Sequence, residues 1–387
     1  MRTVAVFHLG GVGGPSRSLT GALAWLAERG ELHCLFPEEG AAAADYHELG
    51  EVAVVPYSAL TYARRPRAVA ATVAAFTRDV ATFRRELRAR RADLAIVVTS
   101  VLPAALVAAR LERVPAIVYA AEVYSQPWKH SRALELWGAG LARATARLAS
   151  GIVCCSRLVA EQYPAGRGAL AVAYPPIRAE DGAGDREAGR ARHGMEHADP
   201  VIAVVGALSR GRGQDLAIRA LPAIRREAPA AHLLVVGAPH PRPVDLAYAE
   251  ELRTLAAELG VGEAVTFAGA VDAIADVYSA ADVVVNPART AESFGRVAAE
   301  ALVAGRPPVV TDVGAVREVL REGVDGILVP PERPDAIAAA VLELRRDPAR
   351  ARRLAETGAA RVRSEFGPEQ DLAAWRGVVA AVAGEGG

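Results

Sequence analysis

Glu292-Ser-Phe-Gly-Arg-Val-Ala-Ala-Glu300 sets two carboxylates eight residues apart, with a Ser-Phe-Gly turn directly after the first. The run beginning at Arg296 consists mostly of good helix formers, so Glu292 reads as a loop residue just before a helix. Glu300 then falls more than one turn inside that helix. A helix start offers unpaired backbone N–H groups and a positive dipole end, which suit a phosphate. A carboxylate on each side of such an anion site can accept hydrogen bonds from sugar hydroxyls. Two glutamates flanking a helix start are also common for structural reasons alone, and only the surrounding sequence gives them a function.

That surrounding sequence carries positive charge and tight turns. Val201–Gly206 reads as a strand, followed by Ala207-Leu-Ser-Arg-Gly-Arg-Gly-Gln-Asp215 leading into a helix. A Gly-rich turn with two arginines at a strand end holds phosphates through backbone N–H groups and guanidinium forks, with Arg210 and Arg212 as the charges. The alternative is a solvated loop. Downstream, the stretch Val265–Asp272 ends another strand in a tight turn, and Val277–Pro287 delivers the chain towards Glu292.

Short β-branched runs alternate with helical segments along the whole chain. The expected strands are Thr3–Leu9, Leu32–Phe36, Val52–Val55, Leu94–Thr99, Ala116–Ala120 and Gly151–Cys155, then Val201–Gly206, His232–Val236, Ala264–Ala268, Val283–Asn286, Pro308–Thr311 and Gly326–Val329. The expected helices include Ser16–Glu28, Val69–Arg90, Leu216–Glu227, Tyr248–Leu259 and Pro334–Arg345. This alternation predicts an α/β protein with parallel sheets covered by helices. A polar, Gly-rich stretch after Pro175-Pro176 predicts a break. The expected domains are Rossmann-like halves at 1–177 and 186–366, joined by a linker at 178–185, with a helical segment at 367–387 crossing back to the first half. The expected ligand site is the cleft between the halves, with hinge closure about 176–185.

Bulk properties exclude several classes. Among 387 residues, Lys+Arg and Asp+Glu both number 45, so there is no nucleic-acid footprint of charge. Cys34, Cys154 and Cys155 form neither a disulfide framework nor a metal pattern. His193 and His197 share a helical spacing but lack the acid of a zinc-protease motif, and no Asp-x-Asp pair occurs, so no metal is expected. The amino terminus reads as a first strand rather than a signal peptide, and no stretch is long and apolar enough to span a bilayer, so the expected location is cytoplasmic.

Six motifs in order resemble the family-four GT-B glycosyltransferases: Val205-Gly-Ala-Leu-Ser, Phe267-Ala-Gly-Ala-Val, Tyr278-Ser-Ala-Ala-Asp-Val, the Glu292–Glu300 segment, Gly305-Arg-Pro-Pro-Val-Val and Gly323-Val-Asp-Gly-Ile-Leu-Val-Pro. They cover roughly residues 200–366. The amino-terminal half is similar more loosely, through Gly10-Gly-Val-Gly-Gly-Pro-Ser and Pro115-Ala-Ile-Val-Tyr-Ala-Ala-Glu122.

The resemblance implies a GT-B fold and a retaining transfer of sugar from a nucleoside-diphosphate sugar to an acceptor hydroxyl. Glu300 would accept bonds from the nucleotide ribose, and Glu292 from the transferred sugar. Ser293, Phe294, Gly295, Arg296 and Val297 would meet sugar and diphosphate at the helix start. Gly206 would belong to the turn before Arg212, which stands where the family usually has a lysine. The base would lie near Ala270, Val271 and Asp272, and Gly13 and Gly14 would face the diphosphate from the other half. Tyr119 and Glu122 would contact the sugar.

Two departures stand out: Ala207 replaces the family's usual arginine, with Arg210 expected to substitute for it, and Tyr119 replaces a common histidine. Alternatives are a phosphorylase or sugar-coupling relative on the same fold, or a nucleotide-sugar-binding partner with little activity. A dinucleotide-binding loop at Gly10–Gly14, with Glu38 or Glu39 on the ribose, is a rival, although the spacing is not G-x-G-x-x-G. The acceptor is expected on the first half, near Tyr57, Tyr62, Tyr124, Trp128, Lys129 and His130. The basic stretches Arg64–Arg67 and Arg84–Arg91 read as solvated faces in preference to membrane contacts.

Overall fold

The computed structural model describes residues 1–11, 13–60, 66–124 and 132–384. Tyr62, Arg64, Trp128, Lys129 and His130 lie outside the described residues. The chain forms two compact units. One takes the described residues up to Pro176 together with those from Pro368, and the other is Ile177–Gly367.

The first unit has seven parallel strands: β1 Arg2–Val6, β2 Glu31–Phe36, β3 Glu51–Val54, β4 Leu94–Val98, β5 Ala116–Ala120, β6 Gly151–Cys154 and β7 Ala169–Val172. Their spatial order is β3-β2-β1-β4-β5-β6-β7. Strands β4 and β5 are buried along their whole length, because helices cover both faces and every position must be apolar. The expected strands are all present with ends shifted by a few residues. Strand β7 was not expected; it is a four-residue, largely half-buried edge strand whose composition carries little periodic signal.

The helix Pro368–Ala383 belongs to this unit, and its Trp375, Val378 and Val379 join the core built on β1, β4 and β5. Gly151 makes that closeness possible, since a Cβ there would lie 2.7 Å from Cγ1 of Val378. Burying each of these side chains is worth about 1.5–3 kcal/mol.

The second unit has six parallel strands: β8 Val201–Val205, β9 His232–Val236, β10 Val265–Gly269, β11 Val283–Asn286, β12 Pro308–Thr311 and β13 Ile327–Val329, in the order β10-β9-β8-β11-β12-β13. The helix expected from Tyr248 begins earlier, at Pro243, which occupies the first turn, where proline is well tolerated. Residues 178–185, expected as a free linker, lie within the second unit. A Cβ on Gly182 would meet the Val303 backbone at 2.4 Å, and one on Gly184 the Ala275 carbonyl at 2.2 Å. Asp185 caps the next helix through Ala188 N–H and donates its own N–H to Asp276. The glycines that suggested flexibility serve close backbone approach.

In both sheets the strand order reverses beside the first strand, between β1 and β4 and between β8 and β11. Loops leaving the carboxyl ends of such neighbours diverge to opposite faces, and the crevice between them is where open α/β sheets bind ligands.

Candidate active site

At the β8/β11 reversal, the loop after β8 carries Arg212 and the loop after β11 carries Glu292. Nη1 of Arg212 donates to Oε1 of Glu292 at 2.5 Å, with the guanidinium 42% exposed and the carboxylate 12%. Arg212 ends a single tight turn in which its N–H reaches the Ser209 carbonyl at 2.9 Å. Gly213 follows with φ +70° and caps the helix Gln214–Glu227, and a Cβ there would lie 2.1 Å from the Pro287 carbonyl. Only glycine satisfies both the dihedral and the space.

The Gly211 carbonyl accepts from Arg289 and Thr290 N–H at 2.8 and 2.9 Å, so the two loops are joined directly. Arg289, absent from the sequence-based candidates, reinforces that joint. Its guanidinium forks onto Asp215 at 2.6 and 2.8 Å, pairs with Glu332 and reaches the Arg210 carbonyl at 3.2 Å. Asp215 also accepts from Tyr248 Oη at 2.7 Å. Burial pushes the Asp215 carboxyl up, but the bonds from Arg289 and Tyr248 outweigh it and leave its pKa below the usual value.

Glu292 is fixed by its backbone as well, since its carbonyl accepts from Ala315 N–H at 2.7 Å. Ser293 and Phe294 follow, and the Phe294 ring is 3% exposed and packs edge-on against Phe366, 5.4 Å between centroids. The Phe294 side chain thus anchors the loop in the core. Gly295, at φ +107°, starts the helix Arg296–Val303. Glu300, in its second turn, is 5% exposed; Oε2 accepts from Tyr278 Oη at 2.7 Å, and Nη1 of Arg296 lies 3.4 Å from Oε1. Val297 and Val271 pack on the same apolar cluster as Tyr278, while Ala270 is exposed at the end of β10. The structure therefore gathers Arg212, Glu292, the Gly295–Val297 helix start and Glu300 along one pair of loops and one helix. Gly206, at the end of β8, lies under Arg212, whose Cδ would be 3.9 Å from a Cβ at that position.

Arg210 does not join them. Its guanidinium pairs with Glu251 and sits over the Tyr248 ring at 5.4 Å. It is committed to the helix Pro243–Glu258, which corrects the expectation that it replaces the charge missing at Ala207. The Ala207 carbonyl is held by Nε2 of the buried Gln214 at 3.1 Å.

In the first unit, Gly13 caps the helix Gly14–Ala27, its N–H donating to Ser16 Oγ at 3.0 Å. Glu122, after β5, accepts from Ser100 Oγ at 3.1 Å and Ala121 N–H at 3.2 Å, and burial raises its pKa. Ser100 Oγ and Tyr124 Oη are 2.5 Å apart, and Tyr163 Oη is 3.3 Å further on. Ser100 follows β4 at the β1/β4 reversal, beside Thr99, a β-branched residue held at φ +78°. Such a conformation is rare for this residue type and marks a constrained position.

Tyr119 is a correction: it is 1% exposed on β5 and its ring lies 6.0 Å from Trp375, so it is a core side chain. Tyr57 is another; its hydroxyl is buried between the Phe7 and Leu35 carbonyls at 2.6 and 2.7 Å. Arg84 and Arg88 both pair with Glu112, and Arg90 with Glu86 and Glu51, so much of that basic stretch is internally compensated.

The sequence model of the family described as Glycosyl transferases group 1 matches residues 185–361. The matched residues make up most of the second unit, and the chain is similar to the group 1 glycosyl transferases through them. All of the gathered residues lie inside the matched region, as do Arg289 and Asp215.

The chain is similar to D-inositol 3-phosphate glycosyltransferase of Rhodococcus opacus, 37% identical over 174 residues, covering 44% of this chain and 39% of that relative. It is also similar to an uncharacterized glycosyltransferase of Methanocaldococcus jannaschii, 39% identical over 147 residues, 38% and 35% of the two chains. The match therefore spans less than two fifths of these curated relatives. Among solved structures, Anabaena HepE in complex with UDP and glucose gives a TM-score of 0.82 at 20% identity, covering 98% of this chain and 99% of that one. Sucrose-phosphate synthase from Thermosynechococcus elongatus gives 0.78 at 21% identity, covering 98% and 100%. At these identities the likeness is one of fold, and it agrees with the GT-B class expected from the sequence. Among the described residues no helix is long and apolar enough to cross a membrane.

Proposed function

We propose that this protein is a group 1 glycosyl transferase that moves a sugar from a nucleoside-diphosphate sugar to an acceptor hydroxyl with retained anomeric configuration. The observation that carries the reading is the Arg212–Glu292 pair at the strand-order reversal, next to a glycine-started helix with Glu300 in its second turn. Arg212 and the helix N–H groups are placed for a diphosphate, and Arg212 offers two N–H donors to two oxygens. Glu292 is the acceptor for sugar hydroxyls, and Glu300 for the ribose. Arg212 exchanges its carboxylate partner for the diphosphate when the donor arrives, which leaves Glu292 free to take a hydroxyl.

In the reaction the C1–O bond to the diphosphate breaks and the acceptor oxygen bonds to C1 on the same face. The acceptor proton passes to a departing phosphate oxygen. Arg212 and the helix start stabilise the charge that collects on the leaving group. UDP is the nucleotide we favour, because HepE, a neighbour in fold, was solved with UDP-glucose and with UDP. The Ser100–Glu122–Tyr124 cluster of the first unit is the proposed contact for the acceptor hydroxyl.

A second reading is a nucleotide-sugar-binding protein with little turnover. It is favoured by Ala207 together with the commitment of Arg210 to Glu251, which leaves Arg212 without the second cation expected in its turn. Calorimetric titration with UDP and GDP, followed by UDP release from UDP-sugars across an acceptor panel, separates the two. Binding without release supports the second reading, and absence of nucleotide binding overturns both. An inverted product would refute retention alone.

A further inference from the structure

The amino ends of β8, β11 and β12, opposite the end that carries Arg212 and Glu292, enclose a cavity of about 340 Å3 lined in part by Asp199, Asp282, Arg306, Leu344, Arg345 and Arg352. Its charges do not balance. The Asp282 carboxylate already accepts from Arg186 at 2.5 Å, Arg190 at 2.8 Å and Val201 N–H at 2.7 Å. Asp199 is taken by Arg345 at 3.0 Å. Arg306 is left half-buried with no carboxylate in ion-pair reach among the described residues, and its Nε is buried without a hydrogen-bond partner. Burial and the neighbouring Arg186 lower its pKa, and Asp282, already shared by Arg186 and Arg190, opposes this only from beyond ion-pair distance. Arg352 is exposed at the rim.

A guanidinium with no directly paired carboxylate in a cavity is costly in the empty protein and becomes favourable once an anion fills it. We propose that this cavity binds a phosphate-bearing small molecule, with Arg306 as the central contact and Arg345 and Arg352 at the rim. Guanidinium forks match phosphate oxygens, and the volume exceeds that of a bare phosphate while falling in the range of small-metabolite sites. The site is separate from the donor site and rests on different residues. It is tied to that site by one helix: Arg306 N–H bonds the Ala301 carbonyl at 2.8 Å, at the far end of the helix that carries Glu300.

The test is calorimetric titration with inorganic pyrophosphate in an Arg212→Ala background, which removes the donor-site cation. Binding persists there, and adding Arg306→Met weakens it at least about tenfold, the loss of a charge-assisted pair. Arg352→Ala, an exposed change that leaves the core intact, weakens it about threefold or more. Melting scans without phosphate add a readout that a purely structural arginine would not give: Arg306→Met melts at the parent's temperature or above. Unchanged pyrophosphate affinity in Arg306→Met overturns the proposal. So does an equal response to sodium chloride at matched ionic strength, or a loss of melting temperature without a loss of binding.

Discussion

Replacing Glu300 by glutamine probes the proposed donor site at a buried carboxylate. The carboxylate is 5% exposed, with Oε2 accepting from Tyr278 Oη at 2.7 Å and Oε1 beside Arg296 at 3.4 Å. Glutamine keeps the shape and an oxygen for Tyr278, so the fold loses little. What it removes is charge. A hydrogen bond to a charged acceptor is worth about 1.5–3 kcal/mol and a neutral one about 0.5–1.5. Each ribose hydroxyl thus loses roughly 1–1.5 kcal/mol, and two lose about 2–3. At about 1.4 kcal/mol per tenfold, UDP affinity falls roughly 30- to 140-fold.

Calorimetric titration of UDP into parent and Glu300→Gln proteins measures this directly. Repeating it with 2′,3′-dideoxy-UDP closes a double-variant cycle. The penalty for the missing hydroxyls is large in the parent and small in the variant. A UDP affinity within about twofold of the parent, or equal penalties in both proteins, refutes the ribose role of Glu300.

Arg212→Ala lowers turnover by about 10²–10³, the usual cost of a lost leaving-group or oxyanion donor, while Arg210→Ala changes it less than tenfold; steady-state rates decide between them. Gly213→Ala introduces a side chain at φ +70° and a contact of 2.1 Å with the Pro287 carbonyl, so thermal denaturation shows a loss of several kcal/mol or failure to fold. The depressed pKa of Asp215 means its pairing with Arg289 stabilises the protein fully above the unfolded value of about 3.9 and is lost as pH falls through the folded value; Asp215→Asn removes that acid-limb dependence in denaturation measured from pH 2 to 6. Glu122 has the opposite sign. Its raised pKa makes its ionisation a cost that grows as pH rises from about 4.3 through the folded value, so Glu122→Gln gains stability relative to the parent at pH 7 and little at pH 4, in the same melting scans.

The strands and the loop-to-helix form of the Glu292–Glu300 segment were legible because their signals are local. Whole-length burial writes itself as an apolar run in β4, and the helix start at Gly295 follows from a glycine before a run of helix formers. Strand β7 was not legible, since four residues on a sheet edge carry almost no periodicity. Arg289 was not legible either, although it stands three residues before Glu292. Its partner Asp215 is 74 positions away and meets it only because β8 and β11 are neighbours.

The sequence by itself determined the alternation of strands and helices, the turn that presents Arg212, and the helix that carries Glu300. These depend on dihedral preference and on periods of two and 3.6 residues, which act within a few positions. Only the tertiary structure decided which charges share a site. Sheet order placed Arg212 on Glu292, sent Arg210 to Glu251, buried Tyr119 against Trp375 and left the buried Nε of Arg306 without a hydrogen-bond partner among the described residues. Charges act through space, and the distances between these groups are set by which strands lie side by side.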